Sequence, residues 1–156
     1  MHHVSHAICA VVASLWYRPP ELLLGAKRYS QAIDIWAVGC LFAEFLSGQP
    51  LLNGKTEEEQ IMLLVDCIGV PTPRAWPDLG RMPKVAQGKV QIPLKSRRTV
   101  LDTFADLSRA GLALQSRLLA YDCRERWTAH ECLESPFFHE TPFPTKPEEM
   151  PRFPTN

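Results

Sequence analysis

The chain has 156 residues, and 17 Lys and Arg balance 17 Asp and Glu, for a formal net charge of zero. With 46% hydrophobic and 22% charged residues it has the make-up of one soluble globular domain, which excludes a disordered chain. The charge balance removes any electrostatic argument for nucleic acid or an anionic membrane, so a partner must be recognised by shape and local chemistry.

The five cysteines, Cys9, Cys40, Cys67, Cys123 and Cys132, show no C-x-x-C spacing, and three lie in apolar, helix-like stretches. They read as free thiols of a reducing compartment, nuclear or cytoplasmic, rather than as a disulfide framework. The apolar run Ala7 to Ala13 has no Lys or Arg before it and sits at the short limit of a signal core, so secretion is not expected. No run approaches the ~20 apolar residues of a membrane span.

Residues 1–10, "MHHVSHAICA", lack periodicity and are expected to be disordered. His2, His3 and His6 are of a type that binds metal, but a terminal cluster with no carboxylate beside it reads as solvated. Pro19-Pro20, then Glu21 to Leu24 and Gly25, predict a helix of one or two turns, since proline suits the first turn and glycine the position past the end. Ser30 is a candidate N-cap for a helix running to Ser47, with Gly48 as its stop. The apolar residues of that helix fall on nearly every face, which predicts full burial.

Thr56 with Glu59 predicts a capping box, and Ile61, Leu64, Val65 and Ile68 follow at the spacing of an amphipathic helix. From Pro71 to Thr99 prolines, glycines and basic residues show no sustained period, which predicts a long loop of the kind that forms an insertion or a partner surface. Helical signal returns at Ser108, with Leu114, Leu118 and Tyr121 on one face, and at Thr128, whose box with Glu131 opens a short helix. From Pro136 onward recurring prolines predict an extended surface tail, with 139–156 beyond the domain proper. Nothing alternates with period two for long, so the fold class is all-α.

Three residues do not read as plain helix packing: Asp34 early in the most apolar helix, Glu21 ahead of three leucines, and Arg126 in "YDCRERWTAHE". Asp34 fits either a helix-dipole role, worth at most ~1 kcal/mol when exposed, or a buried carboxylate that needs donors. Glu21 and Arg126 are candidate partners for each other.

Val11-Val12, "LWYR", Pro20-Glu21, "DIWAVG" at 34–39 and Asp122 to Arg126 resemble, in order and spacing, the C-terminal lobe of eukaryotic protein kinases. "LWYR" with "ELLLG" is similar to the cyclin-dependent kinases, and "PLLNGKTEEEQI", "GVPTPRAWP", "YDCRERWTAHECLESPFF" and "ETPFPTKPEEMPRFP" resemble their ten/eleven branch. The resemblance implies a partial C-lobe over 11–138, with 71–99 as the insert of this kinase group and 1–10 as a non-family extension. Val11, Val12, Ser14, Trp16, Tyr17 and Arg18 would form the loop that receives the residue after the phosphorylated Ser or Thr, with Arg18 shaping a proline pocket. Glu21 would pair with Arg126, Asp34 would anchor the catalytic loop, and the helix bearing Leu64 and Ile68 would be a docking face. Protein substrates and a cyclin are the implied partners, with no role for nucleic acid or membrane.

The sequence departs from the family pattern at several points. Val11 to Leu15 is one residue longer than the usual Val-Val-Thr-Leu, Pro19 replaces an alanine, Cys123 a proline, and Trp127 a smaller residue. The activating threonine has no match in "SHAICA". Phosphoryl transfer in this family uses a glycine-rich loop, a Lys–Glu pair, a catalytic Asp and Asn, and a metal-holding Asp. No G-x-G-x-x-G, H-R-D or D-F-G occurs among the 156 residues. The expectation is therefore a truncated cyclin-dependent-kinase-like Ser/Thr kinase domain, inactive alone, with no catalytic, cofactor or metal residues of its own where the intact family uses ATP and magnesium. The alternative is a non-catalytic interaction module that competes with the intact kinase for substrates or partners.

Overall fold

The computed structural model describes residues 14–96, 98–143 and 145–151. The expectations for Val11, Val12, the 1–10 extension and its histidines, and Cys9 fall outside the described residues. Within them the secondary structure is helical, with no strand. The helices are α1 (Pro20–Leu23), α2 (Ala32–Ser47), α3 (Glu57–Ile68), α4 (Pro83–Ala86), α5 (Val100–Thr103), α6 (Arg109–Leu118) and α7 (Ala129–Leu133), joined by short 3-10 turns, the first at Leu15–Tyr17.

The punctuation of these helices follows local chemistry. Pro20 opens α1, and Gly25 beyond it takes φ 85°, in the left-handed region that glycine enters at no steric cost. Ser30 Oγ accepts from Ala32 N at 3.3 Å ahead of α2, and Gly48 closes that helix at φ 71°. Thr56 caps α3 by accepting from Glu59 N at 3.1 Å, but the Glu59 carboxylate accepts from Lys55 N, one residue before the box position. Thr128 and Glu131 make a complete reciprocal box at α7.

The core gathers Leu23 of α1 and Leu24 just after it, Trp36, Cys40 and Ala43 of α2, Leu52 ahead of α3, Ile61 and Leu64 of α3, and Trp76, Phe104, Leu119 and Tyr121. Helix α6 packs against α2 at Gly39, where a Cβ would lie 2.8 Å from the Leu119 side chain. The buried Gln115 donates from Nε2 to the Gly39 carbonyl at 2.9 Å, fixing that contact. Cys40 sits deep enough that burial pushes its thiol up to about 12, and burial also raises Cys67. Cys40, Cys67, Cys123 and Cys132 are all free.

Two expectations are corrected here. Helix α2 is not buried on all sides: Trp36, Gly39, Cys40 and Ala43 face the core, while Val38, Leu41, Phe45 and Leu46 are exposed, Phe45 by 84%. The elements packed most extensively on α2 are α6 and the Leu15–Tyr17 turn, and the Val38, Leu41 and Phe45 side stays open. Asp34 lies on the open side and is itself exposed, so it is not a buried carboxylate in need of donors. The second correction concerns 71–99, which is not a bare loop. Trp76 is 4% exposed and stacks on Tyr121 with ring centroids 5.7 Å apart, and Leu79, Met82, Val85, Val90 and Ile92 pack on the core. Its helical pieces run only three or four residues, about one turn, which is too short for an apolar period to appear in the sequence.

Beyond α7, Phe137 lies in a 3-10 turn at Pro136–His139 and meets Phe42 edge-on at 5.3 Å. Further on, Phe143 and Met150 are exposed, and another 3-10 turn spans Pro147–Glu149.

Candidate functional site

The segment from Ser14 to Gly25 is held at its carboxyl end by one buried cluster. Arg126 Nη1 donates to Glu21 Oε1 at 2.7 Å and Nη2 donates to Glu21 Oε2 at 2.6 Å, a fork-to-fork pair with side-chain exposures of 0% and 8%. The same guanidinium donates to the carbonyls of Ala32, Ala120 and Tyr121, and lies 5.0 Å from the centre of the Trp36 ring. A buried charge is tolerated where its donors and acceptors are satisfied, and here the cluster joins α1, the start of α2 and the turn after α6.

At its amino end the segment is fixed by three side chains, each to a different element. Trp16 Nε1 donates to the Gly54 carbonyl at 3.0 Å. Tyr17 Oη donates to Glu44 Oε2 of α2 at 2.8 Å, a bond that raises the phenol above its ordinary range. Arg18 Nη1 donates to Glu57 Oε1 at the start of α3, at 2.7 Å. Ser14 is exposed just ahead of this turn.

Behind Trp16 stands Gln60, fully buried on α3. Its Nε2 donates to the Trp16 carbonyl at 3.1 Å and its Oε1 accepts from Gly54 N at 2.9 Å. Gly54 is required by this approach, since a Cβ there would fall 2.6 Å from Gln60 N. Gln60, Glu44, Glu57 and Lys84, whose ammonium also donates to Glu57, were not anticipated from the sequence. Gln60 carries a readable signal, because it falls four residues before Leu64 on the apolar stripe of α3. Glu57 carries none, since an acid in a helix's first turn reads as a solvated dipole partner.

The docking expectation for Leu64 is corrected. Leu64 is 2% exposed and belongs to the core, and Ile68 is half-buried against it. The stripe that marks an amphipathic helix is the face it turns toward its own domain. The outward face of α3 carries Glu58, Met62 and Asp66.

The 71–99 segment is tied to the base of the fold through Asp122. Arg124 grips this carboxylate with Nε and Nη2 and reaches Asp78 at 2.8 Å. The Arg124 hydrogen bonds hold the Asp122 carboxyl below its usual range, against the opposing effect of burial. A carboxyl depressed in the folded state contributes stability above the unfolded value of about 4, and that contribution is lost as pH falls through the folded value. Arg124 is largely exposed, so solvent screens the pair and its contribution is small. Asp122→Asn is therefore expected to lower stability slightly at neutral pH and to lose less than the wild type on going to about pH 3. Urea midpoints at the two pH values measure this, and equal losses in the two proteins would contradict it.

A helical lobe whose first loop is pinned at three points and anchored by a buried Glu–Arg pair defines a class, and the chain belongs to the protein kinase family: the protein kinase domain profile matches residues 2–138. More particularly its similarity lies with cyclin-dependent kinases. It is 45% identical over 143 residues to human cyclin-dependent kinase 10, covering 92% of this chain and 39% of that protein. It is 42% identical to cyclin-dependent kinase C-2 of Arabidopsis thaliana, covering 91% of this chain and 27% of the relative. Among solved structures it superposes on a chain of the yeast RNA Pol II CTD kinase CTDK-1 complex with a TM-score of 0.83 at 34% identity, covering 92% of this chain and 48% of that one. A chain of the Chaetomium thermophilum CAK complex bound to ATP-gamma-S gives 0.77 at 37% identity, covering 90% and 44%. The chain thus spans less than half the length of these relatives and structures.

Proposed function

We propose that this chain supplies the substrate-positioning part of the C-terminal lobe of a cyclin-dependent-type serine/threonine kinase, and that by itself it does not transfer phosphate. The observation that carries the positioning role is the fixing of Trp16, Tyr17 and Arg18 by three separate elements, with Glu21–Arg126 anchoring the segment behind them. A surface that receives an extended peptide must be rigid before the peptide arrives, because ordering a loop on binding costs affinity. In this reading Ser14 to Arg18 faces the residue that follows the phosphorylated Ser or Thr, and Arg18 shapes the site for proline. Proline-directed protein substrates and a cyclin are the partners of the longer kinase, which works in the nucleus or cytoplasm. Among the described residues no helix is long and apolar enough to cross a membrane.

The reading of inactivity rests on the sequence, which holds none of the family's phosphate-cradling or metal-holding motifs. Asp34, whose family role would be to anchor a catalytic loop, stands exposed on the open side of α2. Purified 156-residue protein given magnesium, ATP and a Ser-Pro peptide is expected to show no turnover above the blank. Reproducible turnover abolished by an ATP competitor would refute inactivity.

A second reading, a non-catalytic module that competes with the intact kinase for its partners, is favoured by the exposed stripe Val38, Leu41, Phe45 and Leu46 on α2. Partner capture lost on Phe45→Asp supports it, and unchanged capture counts against it.

A further inference from the structure

Glu57 is shared. Its Oε1 accepts from Arg18 of the first loop, and its Oε2 accepts from the Lys84 ammonium on α4. Lys84 also holds the far end of the same segment: its backbone N donates to the Leu24 carbonyl at 3.0 Å, and a Cβ on Gly25 would lie 3.3 Å from Lys84 Cγ. The Lys84 carbonyl in turn accepts from Lys89 N at 2.9 Å and Val90 N at 3.2 Å, which closes the α4 turn around it. One residue of the 71–99 segment therefore touches the segment beginning at Trp16 both through a carboxylate and through the backbone.

From this geometry we propose that Lys84 is a positioning residue: through Glu57 it makes the conformation of the Trp16–Arg18 loop depend on the 71–99 segment, so that whatever moves the α4 turn re-sets Arg18. The chemistry is that of one carboxylate between two cations. With both in place each oxygen has a fixed donor and the Glu57 side chain has one orientation. Without the ammonium, Oε2 turns to water and the side chain gains rotamers, so Arg18 loses a rigid acceptor. A partner seated on the segment would reach the loop by this route. The functional consequence rests on the positioning role proposed above, while the coupling itself does not.

Hydrogen exchange on the 156-residue protein tests the coupling without any activity. Lys84→Met keeps the side-chain stem and removes the charge. It is expected to speed exchange at the Tyr17 and Arg18 amides by about threefold, the size of a partly exposed ion-pair effect, and to leave Leu114 to Leu118 of α6 unchanged. Glu57→Gln should do the same, the double variant should add nothing to it, and Lys84→Arg should restore wild-type rates. Unchanged rates at Tyr17 and Arg18 in Lys84→Met overturn the proposal, and so does an equal acceleration in α6, which would make Lys84 a global stabiliser. A Ser-Pro peptide that fails to perturb Trp16 in the wild type would instead sink the positioning role and leave the coupling standing.

Discussion

Glu21→Ala is expected to lower the stability of this protein by about 3–5 kcal/mol, because it leaves Arg126 charged in a site with no solvent access. The guanidinium keeps its bonds to the carbonyls of Ala32, Ala120 and Tyr121, but none of these acceptors carries a full charge. The loss comes from stranding a buried cation more than from deleting a contact, so Glu21→Gln, which removes the charge but keeps an acceptor, should cost less than the alanine variant. Against the roughly 5–15 kcal/mol that holds a typical domain together, the alanine loss would remove a large share of the stability. Urea denaturation with an unchanged slope checks the size. A loss under about 1 kcal/mol would mean that the cluster is open to water in solution.

Leu64→Ala is expected to cost about 2–5 kcal/mol, the range for truncating a well-packed leucine in a core. Ile68→Ala should cost less, because Ile68 is only half-buried at the end of the helix. The comparison decides what this stripe does. A docking face would give two stable variants that fail to bind a partner, whereas the packing seen for Leu64 gives an unstable one. Thermal or urea unfolding of the two variants beside the wild type measures the difference, and a Leu64→Ala protein as stable as its parent would return the residue to the surface.

Much of the helical outline is written in local chemistry. The Thr56 cap of α3, the Ser108 cap of α6 and the box of α7 follow from side chains that satisfy backbone groups three residues on, and Gly48 ends α2 because glycine enters the left-handed region freely; the N-cap of α2 is Gln31 rather than Ser30. Glu21 and Arg126 could be suspected as partners because each is a charge set among apolar residues, although 105 positions separate them. Where the reading failed, the missing information was always about a neighbour. The apolar content of α2 does not reveal which side is covered, and the stripe of α3 marks a face without saying whether its own core or a partner lies against it. The one-turn helices around Trp76 are too short to show a period, so their packing is invisible until Tyr121 is brought beside them.

The sequence by itself therefore determined the caps of α3, α6 and α7, the all-α class, the family resemblance and the candidate anchor, since each of these rests on residue types at short spacing or on a motif order that survives without coordinates. Only the tertiary structure decided that Asp34 and Phe45 stand on an open side of α2, that Leu64 is core, and that Glu57 is divided between Arg18 and Lys84. The physical reason is range: a cap or a turn is settled within a few residues, but a charge or an apolar face acquires its role from whatever the chain folds against it.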